Sequence, residues 1–373
     1  MEYIRKNIAD FTEGELRSIF QGNKIEGYRS EQVYRFLHRK LKKDFSEMTN
    51  LPEKLRQFLA DNFYIRYPEI PEIETSAITE TKKYLFKDKD DGKKYESVFM
   101  REKSRVTYCI SSQSGCNAGC KFCGTGYMGF TGNLSAGDIV MQVYSIIQNT
   151  GLSPTNIVYM GMGEPFLNYN NVMNSLKILT SENGLGISSR KITVSTIGLK
   201  GKIKEFADEL TTDENKKIKN VKLALSLHST DEKVREMLIP LSRKNKLKDI
   251  LDEIVYFYRK TKNKITYEYI WFEGINDTAE DIKRIKKLSR MLPCNFNIIP
   301  FHPIENIAAG TVKPESKAEE ELIKKLKEPN NSLSNKNLNH FIDRLRKESV
   351  VANIRSSNGS DISAACGQLA LKK

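Results

Sequence analysis

Cys116-Asn117-Ala118-Gly119-Cys120-Lys121-Phe122-Cys123 places three thiols at C-x3-C-x2-C spacing within one short, glycine-bearing stretch. Thiolates are soft ligands suited to iron–sulfur clusters or zinc. A closed structural zinc site takes four protein ligands, with its cysteines usually in close pairs. Here no fourth Cys or His stands nearby: Cys109 lies upstream, and the next cysteine downstream is Cys294. Three thiolates can hold three irons of a cubane 4Fe–4S cluster and leave the fourth open to a chelating ligand. Phe122, between two of the cysteines, would lie against such a cluster and restrict water. A degenerate zinc knuckle, or three cysteines that only pack, are the competing readings, although tight triplets are uncommon for packing alone.

Working outward, strands and helices alternate from Arg105 onward. Strands are expected at Val106–Ser111, Asn156–Met160, Lys191–Ser195, Val221–Leu227, Lys264–Phe272 and Asn295–Phe301. Helical periodicity fills the intervals at Ser135–Gln148, Tyr169–Thr180, Leu199–Leu210, Leu247–Lys260 and Thr278–Met291. Ser135 with Asp138 resembles a capping box. The right-handed crossover rule makes such repeats parallel, so the fold class is α/β, a partial (β/α)6 barrel. In such barrels function collects at the carboxyl ends of strands. The cysteine loop, Gly161–Glu164, Ser195, and Ser226 with His228 all fall at strand ends, and Asn297 lies in the sixth strand.

Upstream, residues 1–72 read as a charged helical accessory unit. Ser30 is expected to cap a helix whose Val33, Phe36 and Leu37 form an apolar stripe. Arg35, Arg39, Lys40, Lys42 and Lys43 make a basic cluster, either a solvated face or an RNA contact. Pro52 opens a further short helix. Residues 73–101 read as a β-hairpin turning at Asp90-Asp91-Gly92. The core spans 102–361, with a polar loop at Glu328–Asn337, and residues 362–373 form a tail carrying Cys366. Cys294 reads as a core residue.

The chain has 373 residues, six cysteines and a formal charge of +13, a balance that suits a polyanionic partner such as RNA. Cysteines gathered in one loop suit a reducing compartment better than a disulfide framework. No apolar run approaches the ~20 residues needed to span a bilayer, and Met1–Lys6 has no signal-peptide core. A cytoplasmic protein without membrane association is expected.

Several strings together resemble the RlmN/Cfr family of radical S-adenosylmethionine (SAM) RNA adenine methyltransferases. They are C-x3-C-x-Phe-C, Cys109-Ile-Ser-Ser-Gln113 before it, Gly161-Met-Gly-Glu-Pro165 after it, and Ala365-Cys-Gly-Gln-Leu369 near the end. The resemblance implies a radical SAM barrel with a 4Fe–4S cluster on Cys116, Cys120 and Cys123. It implies S-adenosylmethionine as the second cofactor, two molecules per turnover, contacted by Gly163, Glu164, Ser195, Ser226, Leu227, His228 and Asn297. It further implies that Cys366 takes a methyl group by displacement. A 5′-deoxyadenosyl radical then activates the S-methyl for addition to adenine, and Cys109 resolves the covalent adduct by a disulfide with Cys366. Glu96 matches the family's proton acceptor.

The implied partners are 23S rRNA, tRNA and a reducing donor such as flavodoxin, and a monomer is expected. Gly163-Glu-Pro-Phe-Leu-Asn-Tyr169 is similar to the branch that methylates adenine carbon 2. Cys116-Asn117-Ala-Gly119 with Lys121 leans toward the Cfr branch, which methylates carbon 8 and confers antibiotic resistance. A zinc-stabilised RNA-binding protein without activity is the reading from another class.

Overall fold

The computed structural model describes residues 5–302, 304, 314, 316–327, 332–355 and 358–371. Ten strands form one sheet, and within it they lie side by side in the order in which the chain forms them. They are β1 (Glu69–Thr75), β2 (Thr81–Lys87), β3 (Lys94–Glu102), β4 (Arg105–Cys109), β5 (Asn156–Tyr159), β6 (Ile192–Thr196), β7 (Lys222–Ser226), β8 (Ile265–Trp271), β9 (Cys294–Pro300) and β10 (Ala352–Ile354).

From β4 to β10 each pairing is parallel, with helices in every crossover. The strands are buried apolar runs, as a sheet covered on both faces requires. The expected partial barrel is therefore present. Ala352–Ile354 adds one more parallel strand at its last edge.

Before the barrel, β1 to β4 pair antiparallel. The expected hairpin is β2 and β3, turning at Gly92 with φ 70°. It is flanked by β1 and joined edge-on to β4, so the extension and the barrel share one continuous sheet.

The barrel helix Ala136–Thr150 shows how sequence sets local structure. Ser135 Oγ accepts from Asp138 N at 3.1 Å, and Asp138 Oδ2 accepts from Ser135 N at 3.0 Å. The capping box is complete and fixes where the helix starts. Arg66 reaches the same carboxylate at 2.8 Å and also pairs with Asp88 and Asp90. One guanidinium thus ties the hairpin to the barrel.

The N-terminal unit, with helices Glu13–Gly22, Tyr28–His38 and Glu53–Asn62, meets that same barrel helix through Ile8–Asp10 and His38. Asp10 Oδ1 accepts from Gly137 N at 2.7 Å, where an added Cβ would strike it. Buried His38 Nδ1 meets the Tyr144 hydroxyl at 2.8 Å.

Three expectations need correcting. Ser30 does not cap: the helix begins at Tyr28, and Ser30 Oγ donates back to Gly27 O at 2.6 Å from within the first turn. The Glu328–Asn337 loop is helical from Ser332, because Ser332–Lys347 continues a pattern that buries Leu338, Phe341, Ile342 and Leu345. Residues 328–331 lie outside the described residues. The stretch Ser356-Ser-Asn-Gly-Ser360 reads as flexible from its composition, yet its described residues, 358–360, and the tail after them are seated. Asp361 accepts from Ser76 Oγ at 2.8 Å and Ala77 N at 2.9 Å. Ser356 and Ser357 lie outside the described residues.

Candidate active site

The cysteine loop is an excursion from a two-stranded bracket, Gln113–Gly115 paired with Phe130–Asn133. Gly115 has φ 73°, and a Cβ there would overlap Gly129 O at 1.8 Å, so only glycine closes the bracket. The loop lies over the carboxyl end of the barrel, where Lys121 N donates to Leu238 O at 2.9 Å.

Cys116, Cys120 and Cys123 line one cavity at this mouth. Burial pushes the Cys116 thiol up to about 12, and Cys120 well above its ordinary value, where the neighbouring thiols add to the rise. Thiolates there need a cation to offset their desolvation. Among the described residues they do not converge on a single-ion site. They share one wall, and three thiolates are what three irons of one cluster would take as ligands. This donor set fits a 4Fe–4S cluster. Phe122 packs beside them and meets the His228 ring edge-on at 4.7 Å.

The next strand end supplies Gly163 and Glu164. Gly163 has φ 97°, and a Cβ would lie 2.5 Å from Gln113 Cβ, so the loop passes flush against the cysteine segment. Glu164 is buried and accepts from Thr196 Oγ1 at 2.7 Å, Phe166 N at 3.0 Å and Ile197 N at 2.9 Å. Burial raises its proton affinity and these bonds oppose the rise. Ser195 and Ser226 approach to 3.3 Å across β6 and β7.

His228 takes φ 54°, a strained value for a non-glycine residue. Its Nδ1 accepts from Ile270 N at 3.1 Å. Burial lowers its pKa to about 3, so the neutral ring carries its proton on Nε2. Cys109 and Cys366 line the same cavity, and both are free thiols.

The structure thus brings ten of the expected residues to one cavity: Cys109, Cys116, Cys120, Cys123, Gly163, Glu164, Ser195, Ser226, His228 and Cys366. It keeps three off the wall. Leu227 is core, with its N–H donating to Glu268 O at 3.0 Å. Asn297 lies in β9, whose Ile299 reaches the wall, but itself stays off it, donating to Glu268 Oε1 at 2.9 Å. Glu96 lies in mid-β3, buried, with its N–H toward Met162 Sδ at 3.2 Å.

Sequence reasoning missed four charged residues. Glu268 and Arg355 line the cavity and pair at 3.4 Å. The Cys366 thiol first, then Glu268 and Cys109, strengthen Arg355's hold on its proton against desolvation. Arg235, fully buried, donates to Leu227 O and Ser226 O, each at 3.2 Å, and to Ile197 O at 2.5 Å, tying the ends of β6 and β7. Lys83 pairs with Glu96 at 3.6 Å. A charge inside the apolar run Ile265–Trp271 was the available signal for Glu268.

Known proteins share this architecture and sequence. The radical SAM superfamily profile matches residues 110–289, and the ribosomal RNA large subunit methyltransferase N-terminal domain profile matches residues 6–65. A Fervidobacterium nodosum protein named "Probable dual-specificity RNA methyltransferase RlmN" is 38% identical over 366 residues, covering 98% of this chain and 97% of its own. A Flavobacterium psychrophilum protein of the same name is 37% identical over 377 residues, covering 100% of both chains. The crystal structure of a radical SAM methyltransferase from Sphaerobacter thermophilus superposes with a TM-score of 0.81 at 34% identity, covering 97% of this chain and 98% of that one. Similarity that runs through helical N-terminus, cluster loop and cysteine-bearing tail shows that the chain belongs to the RlmN family of radical SAM RNA methyltransferases, enzymes of a 4Fe–4S cluster and S-adenosylmethionine.

Proposed function

We propose that this enzyme methylates carbon 2 of a specific adenine in 23S rRNA and of the adenine beside the anticodon in tRNA. The observation that carries the reading is the placement of Cys109 and Cys366 on the wall that also holds Cys116, Cys120 and Cys123. A simple methyl transfer from S-adenosylmethionine needs neither extra thiol. The "dual-specificity" in the relatives' names supports two RNA classes.

In this reading Cys116, Cys120 and Cys123 hold the cluster. Gly163, Glu164, Ser195, Ser226 and His228 shape the S-adenosylmethionine site, with Leu227 and Asn297 behind it. When bound, these cofactors supply the methyl group and the hydrogen-abstracting radical. Cys366 carries the methyl carbon and becomes bonded through it to the adenine. Burial pushes the Cys109 thiol up to about 12, and the Arg355 guanidinium opposes that rise. Cys109 then attacks the sulfur of Cys366, forming the disulfide as methylated RNA leaves. The adenine ring proton goes to Glu96, whose burial raises its pKa to about 7, near that of an effective general base.

The N-terminal unit, residues 1–72, is the RNA-contacting accessory, with Arg39, Lys40 and Lys43 on its exposed side. Residues 73–101, 102–361 and 362–373 are the extension, core and tail. A low-potential flavodoxin-type donor and a monomeric enzyme in the cytoplasm complete the proposal. Among the described residues no helix is long and apolar enough to cross a membrane.

Mass spectrometry of nucleosides from treated 23S rRNA fragments and tRNA tests this. Anaerobically reconstituted enzyme should give 2-methyladenosine in both RNAs. Product exclusively at carbon 8 overturns the proposal.

A further inference from the structure

The antiparallel extension holds a charge that the reaction above does not use. Lys83, in mid-β2, has a side chain only 2% exposed and ion-pairs on two sides, with Glu74 Oε1 at 2.9 Å and Glu96 Oε1 at 3.6 Å. Burying an ammonium costs several kcal/mol unless partners compensate it.

The register explains how the three groups meet. Glu74 stands directly opposite Lys83 across β1 and β2. Across β2 and β3, Lys83 stands opposite Val98, so Glu96, two residues along, shares its face. This is the face turned to the cavity. Met100, two residues beyond Val98, lines the wall, as does Cys109, which pairs with Val98 from β4.

Two of the three groups are sealed in and the third opens outward, with side-chain exposures of 4% at Glu96, 2% at Lys83 and 19% at Glu74. Glu96 Oε2 is buried and has no hydrogen-bond partner among the described residues. The charged groups acting on Glu96 are Lys83 and Glu74, joined by the Ala370 N–H from the tail.

We propose that Glu96, Lys83 and Glu74 form a proton exit that resets the general base after each turnover. This rests on the reading of Glu96 as acceptor of the adenine ring proton. The proton arrives on Glu96 Oε2, leaving a neutral carboxyl beside the ammonium. Lys83 passes one of its protons to the Glu74 carboxylate and takes the Glu96 proton in return. The balance is a regenerated Glu96 carboxylate, an unchanged Lys83 ammonium and a protonated Glu74, which releases the proton to water. The 3.6 Å gap between Lys83 and Glu96 is about 0.5 Å beyond a good hydrogen bond, within a side-chain adjustment.

Lys83→Arg separates transfer from charge, because arginine keeps the positive charge but does not give up a proton. With full-length reconstituted enzyme and a tRNA substrate, covalent adduct and released methyl-RNA are followed by quenched gels from about pH 6 to pH 9. Lys83→Arg and Glu74→Gln are expected to form adduct normally. The first adduct should also decay normally, because Glu96 starts ionised, while later turnovers slow more than tenfold in the first variant and several-fold in the second. Wild-type rates over successive turnovers in both variants at every pH overturn the exit. If Glu96→Gln also decays normally, the base assignment itself fails. If only Glu96→Gln stalls, Glu96 is the base and the exit alone is wrong. Glu74 lies near the surface, so its variant keeps the test open if Lys83→Arg does not fold.

Discussion

The parallel barrel and the antiparallel extension belong to one sheet, yet they deliver side chains to the cavity in different ways. The barrel works from strand ends: Glu164, Ser195, Ser226 and His228 stand at or just past the carboxyl termini of β5, β6 and β7. Each is held by backbone amides or neighbouring loops, as Glu164 is by Phe166 N and Ile197 N. The extension works from a pleated face, where Glu96, Lys83 and Glu74 sit in mid-strand and hold one another. Strand-end groups can turn toward a bound cofactor because loops tolerate varied backbone. Mid-strand groups are fixed by register, which suits a proton path with set distances. On the proposed reading, the barrel hosts the cofactors and the extension handles the proton.

Variants can break that division. Cys120→Ala should remove everything at once: the brown absorbance near ~400 nm expected of a 4Fe–4S cluster, bound iron and RNA methylation. Cys120 variants that keep four irons per chain and remain active would show the loop to be structural. Glu96→Gln acts on the other side of the division. It should keep iron, colour and S-adenosylmethionine cleavage, while adduct release falls by about 10²–10⁴. Loss of colour in this variant would mean that the two regions are not separable.

A pH series sharpens the contrast. The base is active only when ionised, and burial raises Glu96 to about 7. Acid therefore silences it: adduct release should fall about tenfold from pH 8 to pH 6 as protonation follows that pKa, measured by quenched-flow gels. The cleavage of S-adenosylmethionine at the barrel mouth should not follow that curve. The smallest effect is local. Ser135→Ala removes the cap on Ala136–Thr150 and should cost about 1 kcal/mol in urea unfolding, with adduct chemistry unaltered at saturating RNA.

The same contrast governs what the sequence made legible. Barrel strand ends follow a positional rule, so the cysteine loop, Glu164, Ser195, Ser226 and His228 could be located before any coordinates. Glu268 and Arg355 escaped because neither follows that rule. One is in mid-strand opposite Asn297, and the other follows a short edge strand. Lys83 could not be told from Lys82, since alternation assigns faces but does not say which face a second layer covers. Here Tyr84 and Phe86 are buried on one side while Lys83 is buried on the other. Ser30 failed for a different reason. A serine can cap a helix or bond back from its first turn, and the local sequence permits both.

The strict chain order of the sheet bears on how the molecule assembles. Each strand docks on the one just before it, from β1 through β10, so no late strand must be threaded between two earlier ones. Such a sheet can grow by accretion, each βα unit landing on a finished edge. The tail is the exception. Thr125 Oγ1 reaches Leu369 O at 2.7 Å across 244 residues, and Asp361 reaches Ser76 across 285. Bonds of this kind join the tail to the extension and to the cysteine loop without adding a strand. Segments held by few contacts open at low free energy while the rest stays folded. Cys366 thus sits on a piece that can open while the ten-strand scaffold stays intact.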